Sequence, residues 1–159
     1  MHNNNIYKNL NPKDLYRYIV KNIRYSTHTK LKSVRELMES GSGSCHDQSY
    51  FIHKILKINK IKSTVLFMIE SNENGEGGET HSFTVYYEKD KIIWVETAWV
   101  QMRGFHTFRS LQEIKNKLIK MHKDGKWGNY NKYPTLEIAV MKASPGDTLN
   151  EIVQKTFNL

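Results

Sequence analysis

One cysteine, Cys45, stands among 159 residues, so no disulfide can close within the chain. A lone thiol suits a reducing compartment and leaves its sulfur free for chemistry. Proline is scarce, at 3 residues, and no repeat, low-complexity tract or Gly/Ser-rich linker marks a domain boundary. No segment approaches the roughly 18 apolar residues of a membrane span, and Met1–Lys8 has no apolar stretch of the signal-peptide kind. A cytoplasmic protein with no membrane partner is therefore expected. His-x-x-x-His is absent, and Cys45-His46 with His53 lacks the paired spacing of zinc ligands. No metal and no other cofactor is expected.

Acidic residues are also the minority, 16 against 24 Lys and Arg, for a net charge of +8. Residues 109–133 hold seven Lys/Arg against two acidic residues, interleaved with Trp127, Tyr130 and Tyr133. Basic patches with aromatics are a footprint of nucleic-acid binding, which keeps a basic binding module in view as a rival function. No recognition motif accompanies the charge, and Lys115, Lys117, Lys120 and Lys123 equally suit a solvated helix face.

What is present fits one globular α+β domain, of a length that buries a real core. Asn11 before Pro12 predicts a helix over 12–24, followed by helices at 31–39 and 45–58. Strands are predicted at 63–70, 81–88 and 92–99, the first a near-continuous buried run. A helix at 109–123, a strand at 135–142 joining the same sheet, and a helix at 147–157 capped by Asp147 complete the layout.

The chemistry concentrates between residues 41 and 99. Gly41-Ser42-Gly43-Ser44 is a small polar turn, and Ser44 with Asp47 fits a capping box opening a helix over Tyr50, Phe51, Ile52, Ile55 and Leu56. Cys45 then lies in the first turn, where free N–H groups and the positive dipole end favour a thiolate. A buried structural cysteine, the commonest role for this residue, needs no such address.

Downstream, the β-branched and aromatic runs 81–88 and 92–99 flank Lys89-Asp90-Lys91 and read as a hairpin. A two-residue loop at Glu88-Lys89 sets His81 directly opposite Glu96, and a loop at Lys89-Asp90 sets Glu96 one diagonal step away. Either register puts both side chains on one face, and a three-residue loop without a bulge separates them. A thiol, an imidazole and a carboxylate in this order are the parts of an activated nucleophile with a base and an orienter. Asp47 and Asp90 are the alternative acids.

From about Leu15 to Trp99, a little over half its length, the chain resembles the transglutaminase-like superfamily of cysteine proteases and acyltransferases. Tyr18-Ile19-Val20-Lys21-Asn22-Ile23-Arg24-Tyr25 matches its first helix and "Ile-Arg-Tyr" type motif. Val34 to Leu37 and then Gly43-Ser44-Cys45 match the short helix and Gly-x-Cys turn, and Leu56 to Ile61 the approach to the first strand. His81 and Glu96 fall on the family's His and acid strands. The sequence departs from the family in Ser82 where an aromatic is usual, in Glu96 where Asp is usual, and in lacking a proline near Lys62.

The resemblance implies a papain-like, transglutaminase-like core over about 12–100, its nucleophile helix packed on an antiparallel sheet, with a helix-strand-helix extension over 105–159. It implies catalysis by Cys45, His81 and Glu96 through a thioester, on a protein or peptide amide. Hydrolysis is expected over transfer to an amine, given the small size and lack of accessory domains. The oxyanion would meet the Cys45 N–H and a second donor, Asn22 or Tyr25 being candidates. The loop 71–79, with its three glutamates just before His81, reads either as a lid that hints at basic substrates or as a solvated connection.

Overall fold

The computed structural model describes Tyr7 and residues 9–159. Helix α1 (Pro12–Asn22) is started by Asn11, whose carboxamide oxygen accepts the N–H groups of Lys13 and Asp14 at 2.9 and 3.0 Å. It stops two residues short of the sequence expectation because the Arg24 N–H pairs with the Gly41 carbonyl at 2.9 Å. That bond begins a short parallel pairing of β1 (Arg24–Tyr25) with β2 (Ser42–Gly43), which the sequence reading lacked.

Helix α2 (Val34–Ser40) starts at 34 rather than 31, since Ser33 and Glu36 form its capping box and the N–H groups of Leu31 and Lys32 bond to Asp147 and Asp47. Helix α3 (Cys45–Ile58) opens as expected on the Ser44–Asp47 capping box.

Five antiparallel strands follow: β3 (Ser63–Ser71), β4 (Gly77–Glu88), β5 (Lys91–Glu96), β6 (Gly104–Phe108) and, after helix α4 (Leu111–Lys123), β7 (Thr135–Val140). Their order in the sheet is β6-β5-β4-β3-β7. Helix α5 (Leu149–Phe157) ends the chain.

Strand β7 joins the sheet as expected, and β6 is an addition. Strand β5 ends at Glu96 instead of 99 because the Glu96 carboxylate takes the next free N–H groups, of Ala98 and Trp99, and turns the chain. Strand β4 begins four residues early, so 77–79 belong to a strand. The loop itself shrinks to a turn around Asn72, whose side chain accepts the N–H groups of Asn74 and Glu76. Helix α4 begins at 111 on a Ser110 cap. Asp147 is not the cap of α5: Thr148 is, while Asp147 accepts the Ser144 N–H and the Lys155 ammonium.

The strands are buried on both faces. Tyr86, Ile93 and Val95 meet Leu15, Ile19, Leu37, Phe51, Ile52, Ile55 and Leu56 of the first three helices. Leu66, Met68, Phe83, Val85, Ile92 and Trp94 meet Ile114 and Leu118 of α4. Each such side chain contributes about 1.5–3 kcal/mol by leaving water. Alternation along β4 thus sends odd residues toward α4 and even ones toward α3, and everything at the candidate site follows from this parity.

Among the described residues, no helix is long and apolar enough to cross a membrane.

Candidate active site

Cys45 is the first residue of α3 and is 4% exposed. The turn before it is held tightly. Asp47 Oδ2 accepts the Ser44 N–H and O–H at 2.7 and 2.8 Å. A Cβ on Gly43 would overlap Leu37 Cδ1 and press on Asp47, so only glycine fits there. Asp47 also takes the Lys32 N–H at 2.7 Å and His28 Nε2 at 2.6 Å. It is a tether for the chain before α2 and does not face His81. Asp90 sits in the exposed turn at the far end of the β4–β5 hairpin.

The hairpin adopts the second of the two registers: Glu88 pairs with Lys91, and Lys89 takes a left-handed conformation in the loop. His81 and Glu96 are therefore diagonal neighbours on the α4 face, with His81 Nε2 2.8 Å from Glu96 Oε2. All of the glutamate's capacity is used. Oε2 also accepts the Trp94 indole N–H at 3.2 Å, and Oε1 accepts the Ala98 and Trp99 N–H groups, each at 2.9 Å. Trp99 stands edge-on to the His81 ring, 5.9 Å between centroids. With Nε2 occupied, Nδ1 is the ring nitrogen left for Cys45, which lies near enough for the two groups to shift each other's protonation.

The protonation states follow from this wiring. Burial pushes the Cys45 thiol up, but the charges of His46 and His81 beside it hold it well below its ordinary value. Burial pushes His81 down, and the charges and hydrogen bonds of Glu96 and Cys45 override it, to about 10. Burial raises Glu96, while the His81 charge and hydrogen bond and the two N–H groups bring it below the usual range. These directions favour the thiolate, the imidazolium and the carboxylate.

Tyr25 reaches the same sulfur, carried there by the pairing of Tyr25 with Gly43 across β1 and β2. Burial first, then the charge of Cys45, raise the phenol above its ordinary value, so it keeps its proton. Tyr25 is 50% exposed. Asn22, the other candidate donor, instead bonds back to the Tyr18 carbonyl at 2.9 Å on the surface of α1.

Three further features escaped the sequence reading. His46 bonds to Ser82 and Thr80. Glu70, 1% exposed, accepts the N–H groups of Glu79 and Asn129 and lies 3.7 Å from His122, thereby bracing the strand that carries His81. Trp127 and Tyr130 pack around His122 and are half-buried. A charged residue ending an apolar strand run, Glu70, was the available signal for this brace. His53 bonds to Ser63, and no metal-binding cluster of His, Cys, Asp or Glu is found among the described residues.

A thiol on a helix N-terminus, a His strand and an acid strand in this order and contact are what the family comparison bears on. Residues 6–104 match the family model of the transglutaminase-like superfamily.

The chain belongs to the transglutaminase-like superfamily.

Members of the superfamily are generally enzymes, cysteine proteases and acyltransferases among them, and include thiol enzymes built on Cys, His and Asp or Glu. The matched span covers α1 through β5 and ends where β6 begins, and α4, β7 and α5 lie outside it. No curated protein matches the chain.

Proposed function

We propose that the protein is a thiol hydrolase acting on amides of proteins or peptides. The Cys45 thiolate adds to the amide carbonyl, and the imidazolium of His81 gives its proton to the departing amine through Nδ1, leaving a thioester on Cys45. Neutral His81 then takes a proton from water, which attacks the thioester and releases the acid and the thiol. Glu96 fixes the ring so that Nε2–H points at the carboxylate and Nδ1 at the sulfur, and it balances the imidazolium charge. The oxyanion is met by the Cys45 N–H and by the hydroxyl of Tyr25, whose phenol lies close enough to Cys45 for the thiolate charge to act on it.

One observation carries this reading: a buried imidazole held by a buried carboxylate, whose remaining hydrogen bonds come from Trp94, Ala98 and Trp99, beside a buried thiol on a helix N-terminus. A purely structural triad has no use for a charge-separated sulfur.

The test is labelling of the chain's one thiol. At neutral pH iodoacetamide should alkylate Cys45 much faster than a model thiol, and His81→Ala should suppress the difference. Slow, ordinary labelling at both pH 6 and pH 8 would remove the activated thiolate and the proposal with it. A peptide carrying glutamine, assayed with and without an added primary amine, separates hydrolysis from transfer: ammonia release without amine incorporation is the expected result.

A further inference from the structure

Thr80, His81 and Ser82 are consecutive on β4, so the pleat that turns His81 toward α4 turns its two neighbours toward α3. His46, the residue after the nucleophile, meets both of them. Its Nδ1 lies 2.9 Å from Ser82 Oγ and its Nε2 3.3 Å from Thr80 Oγ1, with the ring 5.3 Å from Phe67.

The neighbouring hydroxyls fix the direction of the chain. Ser49 Oγ donates to the Cys45 carbonyl at 2.8 Å, so in its 2.8 Å contact with Ser82 it must accept. Ser82 Oγ then has only lone pairs to offer His46, whose Nδ1 is the donor. Nε2 is satisfied in either state, accepting from the Thr80 hydroxyl when bare and donating to it when protonated. None of this is needed to start the helix, which Ser44 and Asp47 already cap.

We propose that His46 is a positioning residue, a latch that fastens the nucleophile helix to the strand on either side of His81 and so sets where the sulfur meets Nδ1. The inference rests on the thiol-hydrolase reading and extends it to a residue outside the three reacting groups. The latch is short at both ends: His46 is one residue from Cys45, and Thr80 and Ser82 are each one residue from His81. Slack at these bonds therefore passes directly into the thiol–imidazole contact, where a misplacement of about 1 Å costs on the order of 10²-fold in rate. The charge of the ring also helps to hold the Cys45 thiol down.

The experiment is the pH profile of Cys45 alkylation by iodoacetamide in the full chain, with melting temperatures alongside. His46→Phe keeps a ring against Phe67 and removes both nitrogens. The pair Ser82→Ala with Thr80→Val removes the partners and leaves the imidazole. His46→Asn keeps one N–H donor for Ser82. The expected result is alkylation about tenfold slower at pH 6 in His46→Phe and in the hydroxyl pair, with part of the loss restored in His46→Asn. An unmoved profile in either His46→Phe or the hydroxyl pair overturns the latch, whatever happens to the melting temperature. If His46→Phe fails to fold, the hydroxyl pair decides alone. His81→Asn separates the two readings: if it too leaves the profile unmoved, the thiol-hydrolase reading falls, and if it alone moves the profile, only the latch falls.

Discussion

Glu96→Gln changes one atom of a fully committed carboxylate, and the hydrogen-bond partners dictate where the new amide goes. The Ala98 and Trp99 N–H groups require an oxygen at the Oε1 position, so the NH₂ must take the place of Oε2. There it faces His81 Nε2 and the Trp94 indole N–H. His81 can then only accept at Nε2, which places its proton on Nδ1, the nitrogen that must hold the thiol's proton. The imidazolium is lost, and the thiol returns to about 8.5 or higher, because it is buried.

At pH 6 a thiol of pKa about 8.5 is thiolate in only about 1 molecule in 300. A more basic thiolate is intrinsically more reactive, with a Brønsted slope of about 0.4–0.5, which recovers part of this deficit. Iodoacetamide should therefore label the variant on the order of tenfold more slowly than wild type at pH 6, with the gap closing or reversing near pH 10. The stranded indole N–H adds a stability loss of about 1–3 kcal/mol, or a melting temperature lower by roughly 2–12 °C. The assay is labelling kinetics read by mass spectrometry. Labelling at pH 6 within twofold of wild type would refute the role given to Glu96.

Tyr25→Phe should leave the fold intact and slow acylation by p-nitrophenyl acetate on the order of 10²-fold, and an unchanged rate would take Tyr25 out of the oxyanion site. Gly128→Ala would drive a Cβ into the Glu70 carboxylate at a backbone angle of φ +69, so urea denaturation should show a loss of about 1–3 kcal/mol. An unperturbed midpoint would mean the Glu70 brace is not tightly packed. Stability in a Cys45→Ser background, which removes the thiol's own titration, should depend on His81. A folded value raised above the unfolded one, about 6.5, gives stability that is full below about pH 6.5 and declines as pH rises through the folded value. His81→Gln added to that background should flatten the decline, and an unchanged slope would assign it to another group.

The nucleophile turn was legible because its signals are local: Ser44 and Asp47 are three residues apart, and a capping box is written within one turn of helix. His81 and Glu96 were legible through hairpin parity, which survives either choice of two-residue loop. What stayed hidden depends on partners far along the chain. Strand β6 carries no alternation beyond Phe105 and Phe108, and it exists because β5 offers an open edge. The β1–β2 pairing that delivers Tyr25 joins segments too short to show a period. His46 read only as the neighbour of Cys45 because its bonds run to hydroxyls 34 and 36 residues away. Glu70 and His122 meet across 52 residues of chain, and the two glycines that make room for Glu70, Gly78 and Gly128, looked like ordinary loop residues. Asp147 was misread as a cap because Asp and Thr148 are both good caps, and the choice was made by Ser144 and Lys155.

The most direct measurement is the pH titration of thiolate ultraviolet absorbance, taken as wild type minus Cys45→Ser, which is clean because the chain has one cysteine. A thiolate held by His81 and His46 should give a signal already present near pH 6 and nearly level through pH 8. A signal absent at pH 6 that rises with a midpoint near or above the ordinary thiol value, about 8.5, would show Cys45 to be an inert buried thiol and would contradict the catalytic reading.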